Sequence, residues 1–322
     1  MKKMTTIVAG LMLWLGAAQP VTAWAEMLIP VGQVVGLEIG DDSVIVAAYD
    51  EALGNAARDA GLLIGDEILR IDGMEIDSAE DVRQALLRSD GHVSVVVERD
   101  GGQRTCAVTP SITGDGPRLG VYLRCGITGI GTVTYYNPAT GCFGTLGHGV
   151  SNRKGELLQM AQGKVYRASV LAVKKGVAGE PGQLRGALEP GALLGELADN
   201  TVQGVFGRVD SGWEGQMLPT ADYDEIRTGP AVIRSTVSSD GVREYSVEIL
   251  KIYPQDRPDG RHFLLRVTDP ALLETTGGII QGMSGSPIIQ DGKLVGAVTH
   301  VLVNDPTTGY GIFIENMLDA AA

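Results

Sequence analysis

No apolar stretch between residues 113 and 322 keeps a helical period over any length, and this limits most strongly what the chain can fold into. Short apolar runs are separated by turn residues instead. Gly131-Thr132-Val133-Thr134-Tyr135-Tyr136 is followed by Asn137-Pro138-Ala139-Thr140-Gly141, then by Phe143-Gly144-Thr145-Leu146. The pattern returns in Ala231-Val232-Ile233, in Tyr245-Ser246-Val247-Glu248-Ile249-Leu250, in Phe263-Leu264-Leu265-Arg266-Val267 and in Leu294-Val295-Gly296-Ala297-Val298. Many short strands at this spacing predict a β-barrel or a sandwich pair. The 45 glycines and only 5% aromatic residues agree, because they favour turns over long packed helices. With 322 residues the chain can bury two cores.

Residues 26–112 read differently, as one small α/β unit. A strand-like run Val44-Ile45-Val46-Ala47-Ala48 precedes a short helical segment, residues 55–62, that ends at Gly61. A second helix is expected over 78–88, with Ser78 ahead of Glu80-Asp81 as its start and Val82, Ala85 and Leu86 on its apolar face. A hairpin around Asp100-Gly101-Gly102 closes the unit. With Ala60-Gly61-Leu62-x-x-Gly65-Asp66-x-Ile68-Leu69-x-Ile71-Asp72-Gly73, this order resembles a PDZ domain of the protease-associated kind. The resemblance implies a groove that takes an extended peptide as an added strand. Its carboxylate-binding loop is expected at Pro30-Val31-Gly32-Gln33, and its pairing strand at Val34, Val35, Gly36 and Leu37.

Charge and cysteine usage exclude several classes. The net charge is −13 and lysine and arginine form no cluster, so nucleic acid, which needs a basic footprint, is not an expected partner. Cys106, Cys125 and Cys142 lack zinc-ligand spacing, and His92, His148, His262 and His300 form no HExxH pair. Neither a metal nor a cofactor is expected. Residues 1–25 carry Lys2-Lys3, an apolar run from Ile7 to Ala18 and Ala23-Trp24-Ala25, the layout of an export signal. No charge occurs from Met4 to Ala25, so an uncleaved anchor is the alternative.

The chemistry-bearing segment is Gly282-Met283-Ser284-Gly285-Ser286-Pro287. A serine nucleophile needs a tight turn that exposes its hydroxyl while neighbouring N–H groups converge on the developing oxyanion. Glycines on both sides of Met283-Ser284 permit such a turn. The N–H groups of Gly282 and Ser284 have the spacing of a chymotrypsin-type oxyanion hole. Ser286 is the rival nucleophile, but it precedes Pro287 as a structural serine would. A base must accompany the serine. His148, in Gly147-His148-Gly149, is exposed by its glycines and lies upstream of the serine; His300, inside the returning strand, is the competing base. Asp269, in Thr268-Asp269-Pro270, and Asp305, in Asn304-Asp305-Pro306, are the candidate acids, and each also suits a turn.

Together, Thr268-Asp269-x-x-Leu272-Leu273, the block Thr276 to Gln290, Gly296-Ala297-Val298-Thr299-His300-Val301 and the run from Gly129 to His148 resemble the SpoIVB peptidases of endospore-forming bacteria. The resemblance covers the chain after the signal. It implies a mainly β protein: a small α/β PDZ domain at 26–112, then a β-rich, chymotrypsin-like barrel peptidase domain at 113–322. It implies His148, Asp269 and Ser284 as a catalytic triad. It further implies export into the space between the forespore membranes, self-cleavage, and cleavage of a membrane-anchored regulator of an intramembrane metalloprotease that activates a sigma factor. One departure from chymotrypsin stands out. Met283 replaces the aspartate that usually precedes the nucleophile, so an N-terminal ammonium has no partner there and activation must work otherwise. The alternative reading is a non-catalytic PDZ adaptor that binds a membrane partner.

Overall fold

The computed structural model describes residues 25–322 apart from 153 and 154, so the expected export signal, up to residue 24, lies outside the described residues. The chain begins with β1 (Met27–Pro30) and a long strand, β2 (Val34–Tyr49). A small unit follows: α1 (Asn55–Asp59), β3 (Glu67–Ile71), β4 (Met74–Glu75), α2 (Ala79–Arg88), β5 (Val93–Arg99) and β6 (Gly102–Val108). The hairpin β7 (Ser111–Thr113) and β8 (Gly116–Arg118) leads into a second long strand, β9 (Val121–Tyr136). Next come β10 (Cys142–Thr145), β11 (Gln162–Lys174), β12 (Gln183–Thr201), β13 (Gly204–Val209) and β14 (Leu218–Pro219). The last part holds β15 (Gly229–Ser235), β16 (Arg243–Ile252), β17 (Phe263–Val267), α3 (Pro270–Thr276), β18 (Pro287–Gln290), β19 (Lys293–Leu302), β20 (Asp305–Phe313) and α4 (Ile314–Ala320).

Two barrels of six strands result. In the first, antiparallel ladders join β2 to β9, β9 to β10, β10 to β13, β13 to β12, β12 to β11 and β11 back to β2. In the second, β15, β16, β17, β20, β19 and β18 close in that order. Alternation dictates which face turns inward. Tyr245, Val247 and Ile249 of β16 are buried in one core with Phe263, Leu265 and Val267 of β17, and with Ile288, Val295, Val298 and Phe313. Val35, Leu37 and Ile39 fill the other with Val133, Phe143, Val165, Leu197 and Val205. Burying each such side chain contributes about 1.5–3 kcal/mol, which makes these inward rows the main reason the barrels close.

The small unit has its own core. Val44 and Val46 pack there with Ala57, Leu62, Ile68, Ile71, Val82, Leu86, Val95, Val97 and Leu119. Its helices form as the sequence indicates: Ser78 caps α2, its hydroxyl accepting from the Asp81 N–H. Its boundaries differ from the expected 26–112. Residues 27–39 belong to the first barrel, and the unit is inserted between β2 and β9, which pair from Val34↔Thr132 to Tyr49↔Val121. One uninterrupted strand therefore serves the barrel with its first half and the inserted unit with its second.

Helix α3 fills the short connection between β17 and the nucleophile turn. Asp269 is its N-cap: the carboxylate accepts from the Leu272 N–H at 3.0 Å, and Pro270 occupies the first turn. Removing that acceptor orphans a helix N–H. Asp269→Ala is expected to lower unfolding free energy by about 1 kcal/mol, and Asp269→Asn by much less, because Asn caps equally well. Urea denaturation of both variants checks this.

Candidate active site

Ser284 and His148 meet at a cleft of about 380 Å³ between the barrels, with His300 in the same wall. The remaining lining is mostly aliphatic, including Leu37, Ile130, Leu146, Val150, Ile279, Ile280 and Val301. The turn that presents Ser284 is built from the second barrel and held by the first. Thr132 of β9 donates its hydroxyl to the Gly282 carbonyl at 2.8 Å and its N–H to the Ser284 carbonyl at 3.0 Å. Thr134, next on the same face, donates to the Gly285 carbonyl at 2.8 Å. The approach is so close that a Cβ on Gly285 would lie 1.9 Å from the Thr132 carbonyl oxygen, and its φ of +94° disfavours any other residue as well. Sequence reasoning missed Thr132 and Thr134. Their role depends on strand pairing in three dimensions, and no local motif marks it.

The backbone donors of the turn divide sharply. Gln281, Met283, Gly285 and Ser286 donate their N–H groups to the carbonyls of Gly182, Ile280, Val298 and Met283. The N–H groups of Gly282 and Ser284 have no acceptor among the described residues. Free main-chain donors are uncommon in folded proteins, and here the two free ones are the pair expected for an oxyanion. The Ser284 hydroxyl donates to the Thr299 carbonyl at 2.6 Å, so in this state it rests on β19. Met283 is buried in the second-barrel core, where an aspartate would be costly. Ser286 is fully buried and donates to the Ser235 hydroxyl at 3.0 Å, a structural link.

His148 is fixed by the loop after β10. Leu146, buried, takes φ +69° just before it, a strained conformation for a side chain of that size. Asn200 of β12 holds the far side: its amide donates to the carbonyls of Val150 and Leu158 and its oxygen accepts from the Val150 N–H. The His148 Nδ1 lies 2.9 Å from the Gly149 carbonyl. A carbonyl can only accept, so Nδ1 carries the proton and Nε2 keeps its lone pair. Burial pushes the His148 pKa down, partly offset by that carbonyl. His300 is pulled down to about 4, chiefly by burial and next by His148. Both rings are neutral at pH 7.

Of the three residues expected as a triad, the structure brings His148 and Ser284 to one cleft. Asp269 does not line it; besides capping α3, its carboxylate lies 3.4 Å from the Ser246 N–H. Asp305 is also occupied, accepting from the hydroxyls of Thr307 and Thr308. The expected peptide-binding stretch, Gly32, Gln33, Val34, Val35, Gly36 and Leu37, needs correction too. Val35, Gly36 and Leu37 pair with β9 on one side and β11 on the other, which leaves no edge for a ligand strand. Gly32 packs against Arg234 of the second barrel, and the Thr236 hydroxyl donates to its carbonyl. One edge left open beside α2 is the start of β9, Val121 to Arg124, which pairs only with β2. Leu119, Val121 and Leu123 pack in the same core as Val82, Ala85 and Leu86 of α2, and Tyr122 is exposed. The signal was present in Leu119-Gly120-Val121, where Gly120 takes φ +75° ahead of a strand.

Two six-stranded barrels with a serine and a histidine lining a shared cleft, and a PDZ domain set into the first barrel, define a mainly β, double-barrel fold of the chymotrypsin-like class. Residues 116–318 match the family described as SpoIVB peptidase S55, and residues 52–99 match a PDZ domain. The chain belongs to the SpoIVB peptidase S55 family. Over 100 residues it is 34% identical to a Rhizobium meliloti (strain 1021) protein named as a candidate zinc metalloprotease, R01501, spanning 31% of this chain and 26% of that one. The chain thus spans about a quarter of the curated relative it matches. Among solved structures, the active form of the Rv3671c protease of M. tuberculosis is similar at 16% identity and a TM-score of 0.35, over 60% of this chain and 72% of that one. Its inactive form is similar at 15% identity and a TM-score of 0.34, over 61% and 85%.

Two outcomes follow from the geometry. Thr132→Val keeps a strand residue but frees the Gly282 carbonyl; kcat on a peptide substrate is expected to fall roughly tenfold, with about 1 kcal/mol of stability lost. Steady-state kinetics beside a denaturant curve separates the two effects. The histidines predict an acid-sensitive fold. The unfolded chain titrates near 6.5 and folded His300 near 4, so the unfolded state binds more protons in that interval. Stability is full above about 6.5 and lost progressively as pH falls toward 4. Melting curves across that range should show a smaller loss in His300→Gln than in the wild type.

Proposed function

We propose that Ser284 is the nucleophile of this endopeptidase, His148 its general base, and the N–H groups of Gly282 and Ser284 its oxyanion hole. The observation that carries the reading is the pair of undonated N–H groups on either side of Met283, beside a serine that shares its cleft with a neutral histidine. In this mechanism the Ser284 hydroxyl swings from the Thr299 carbonyl toward His148. Nε2 takes the hydroxyl proton as Oγ bonds to the scissile carbonyl carbon, and the carbonyl oxygen becomes an oxyanion held by the two N–H groups. Collapse breaks the C–N bond, and the proton on His148 passes to the leaving amine. Water then attacks the acyl-enzyme, giving its proton to His148, and the acid product leaves as the proton returns to Ser284.

The substrate in this reading is a protein segment bound in extended form. The aliphatic walls of the cleft favour an apolar side chain next to the scissile bond. A second peptide site is supported by the open β9 edge beside α2, where a strand could be added to the inserted unit. The resemblance in the nucleophile block supports the finer assignment. The chain is exported through residues 1–25 to the space between the forespore membranes, cleaves itself, and cleaves a membrane-anchored regulator of an intramembrane metalloprotease. Asp269, the third residue that the resemblance implies, serves in this proposal as the cap of α3.

Ser284→Ala is expected to abolish self-cleavage and partner cleavage while shifting the melting temperature by only a few degrees, since one half-buried hydrogen bond is removed. A fluorophosphonate probe should label the wild type and not the variant. Proteolysis that persists in Ser284→Ala would sink the assignment, and equal signalling by both chains would favour the adaptor reading.

A further inference from the structure

The two undonated N–H groups of the nucleophile turn belong to two peptide planes, and the planes are held in different ways. The carbonyl and the N–H of a trans peptide point in opposite directions, so whatever binds the carbonyl aims the N–H. The plane that carries the Ser284 N–H has the Met283 carbonyl at its other end, and that carbonyl accepts from the Ser286 N–H at 3.0 Å, inside the turn itself. The plane that carries the Gly282 N–H ends in the Gln281 carbonyl. Its donor is the N–H of Leu184, at 2.8 Å, and Leu184 stands on β12 of the first barrel. The backbone at Gly282 does not fix this plane by itself. Its φ is +99°, and glycine takes positive and negative φ about equally well, so without the Leu184 donor the plane can turn over.

The end of the β11–β12 hairpin brings Leu184 to that place through main-chain contacts. Gly176 donates its N–H to the Thr276 carbonyl at 2.8 Å, and Gln281 donates to the Gly182 carbonyl at 3.0 Å. Gln183 and Gln281 form a parallel bridge. The fit is close: a Cβ on Gly182 would lie 2.4 Å from the Ile280 Cγ2, and one on Gly277 would lie 2.3 Å from the Gly176 carbonyl oxygen. The Leu184 side chain is buried in the same core as Ile280 and Met283. A hairpin of the first barrel is thus seated along residues 276–282 of the second.

We propose that Leu184 is a positioning residue for the oxyanion hole: its main-chain N–H, delivered by the β11–β12 hairpin, holds the Gln281–Gly282 peptide with the Gly282 N–H turned toward the substrate carbonyl. The proposal rests on the reading of Ser284 as nucleophile and of the Gly282 and Ser284 N–H groups as the hole. One half of the hole is then intrinsic to the nucleophile turn, and the other half is supplied across the barrel interface. When the hairpin end lifts, the Gln281 carbonyl loses its donor, the plane turns, and the hole keeps only the Ser284 N–H. The aliphatic walls formed by Leu37, Ile130 and Val301 do not depend on that plane. Substrate still binds there, so binding and turnover separate. Leu184 does not line the cleft and exchanges no proton. It acts through orientation alone, on donors that gain their effect from being fixed before the charge develops.

Leu184→Ala and Leu184→Pro separate the N–H from the side chain. Both shed the buried leucine side chain, and only the second also lacks the N–H. Gly182→Ala serves as a third variant, because its Cβ pushes the hairpin end off Ile280 with Leu184 intact. Full-length chains are compared below the melting point of the least stable one, for kcat and KM on one peptide and for inhibition by a trifluoromethyl ketone of the same peptide. The ketone forms a tetrahedral adduct whose oxygen sits where the oxyanion would. Leu184→Ala is expected to melt lower and to keep kcat within about threefold of the wild type. Leu184→Pro should lose about 10²–10³-fold in kcat against Leu184→Ala, with KM within about threefold and ketone affinity down by the same factor as kcat. Gly182→Ala should show the same split, with a loss in kcat of about tenfold or more. The proposal is overturned if Leu184→Pro and Leu184→Ala share one kcat, high or low, which leaves Leu184 as packing alone. Should Leu184→Pro not fold, Gly182→Ala decides, and a kcat equal to the wild type overturns the proposal. Fluorophosphonate labelling keeps these results distinct from a failure of the peptidase assignment: a wild type that does not label at Ser284 loses the nucleophile itself, and the proposal falls with it.

Discussion

Everything in the catalytic cleft depends on the grip of one strand of the first barrel on the nucleophile turn of the second. Thr132 and Thr134 of β9 place a hydroxyl on the carbonyl of Gly282 and another on that of Gly285, while the Thr132 N–H takes the carbonyl of Ser284. With the carbonyls engaged on that side and four neighbouring N–H groups donated to Gly182, to Val298 of β19 and to the turn's own Ile280 and Met283 carbonyls, the peptide planes of the turn have little freedom left. The N–H groups of Gly282 and Ser284 are undonated because their neighbours are not. In the proposed assignment these two N–H groups are an oxyanion hole preorganised by the union of two barrels, and such preorganisation is what gives fixed dipoles their effect on a developing charge.

The same strand joins the site to the inserted PDZ unit. The first residues of β9 supply the open edge at Val121 to Arg124, and eight residues beyond Arg124 it reaches Thr132. Its partner β2 follows it along that course, so the unit is attached by a two-stranded ribbon. This is a more direct attachment than a PDZ domain tethered in front of a peptidase by a linker. Any ligand paired to that edge becomes a hydrogen-bonded neighbour of the strand that holds the nucleophile turn. Coupling between sites needs a physical element that both can bias, and β9 is one continuous element that meets both.

The sequence made the fold legible wherever the information was local. Alternating apolar runs announced the strands, Ser78 and the Asp-Gly turns punctuated the small unit, and the glycines around Ser284 marked the turn that the structure shows. Pairing was not local. Val34 to Leu37 reads as a groove strand of a PDZ domain because an isolated alternating run does not reveal how many neighbours it will have. In the fold it has one on each side, and that alone removes it from ligand binding. Asp269 illustrates the other limit. An aspartate before proline at the end of a strand suits an acid poised over a histidine and equally suits the cap of a helix starting at Pro270. Only the position of α3 decides which of these its oxygens do in this state, and that position is set by the packing of Leu272 in the second-barrel core.

The electrostatic state of the cleft follows from its aliphatic lining. Burial lowers the proton affinity of both histidines, so the base is held ready in its neutral form. The same burial raises the cost of the charged form it must adopt during catalysis. A carboxylate would answer that cost but carries its own desolvation penalty in such surroundings. A backbone carbonyl on Nδ1 favours the charged form without such a penalty, and burial still holds the proton affinity of His148 below that of an ordinary imidazole. The resting hydroxyl on the Thr299 carbonyl belongs to the same balance. In the proposed mechanism a base of low proton affinity attracts the serine weakly, so the hydroxyl rests on the Thr299 carbonyl of β19 until a substrate carbonyl enters and the developing oxyanion favours the swing toward His148.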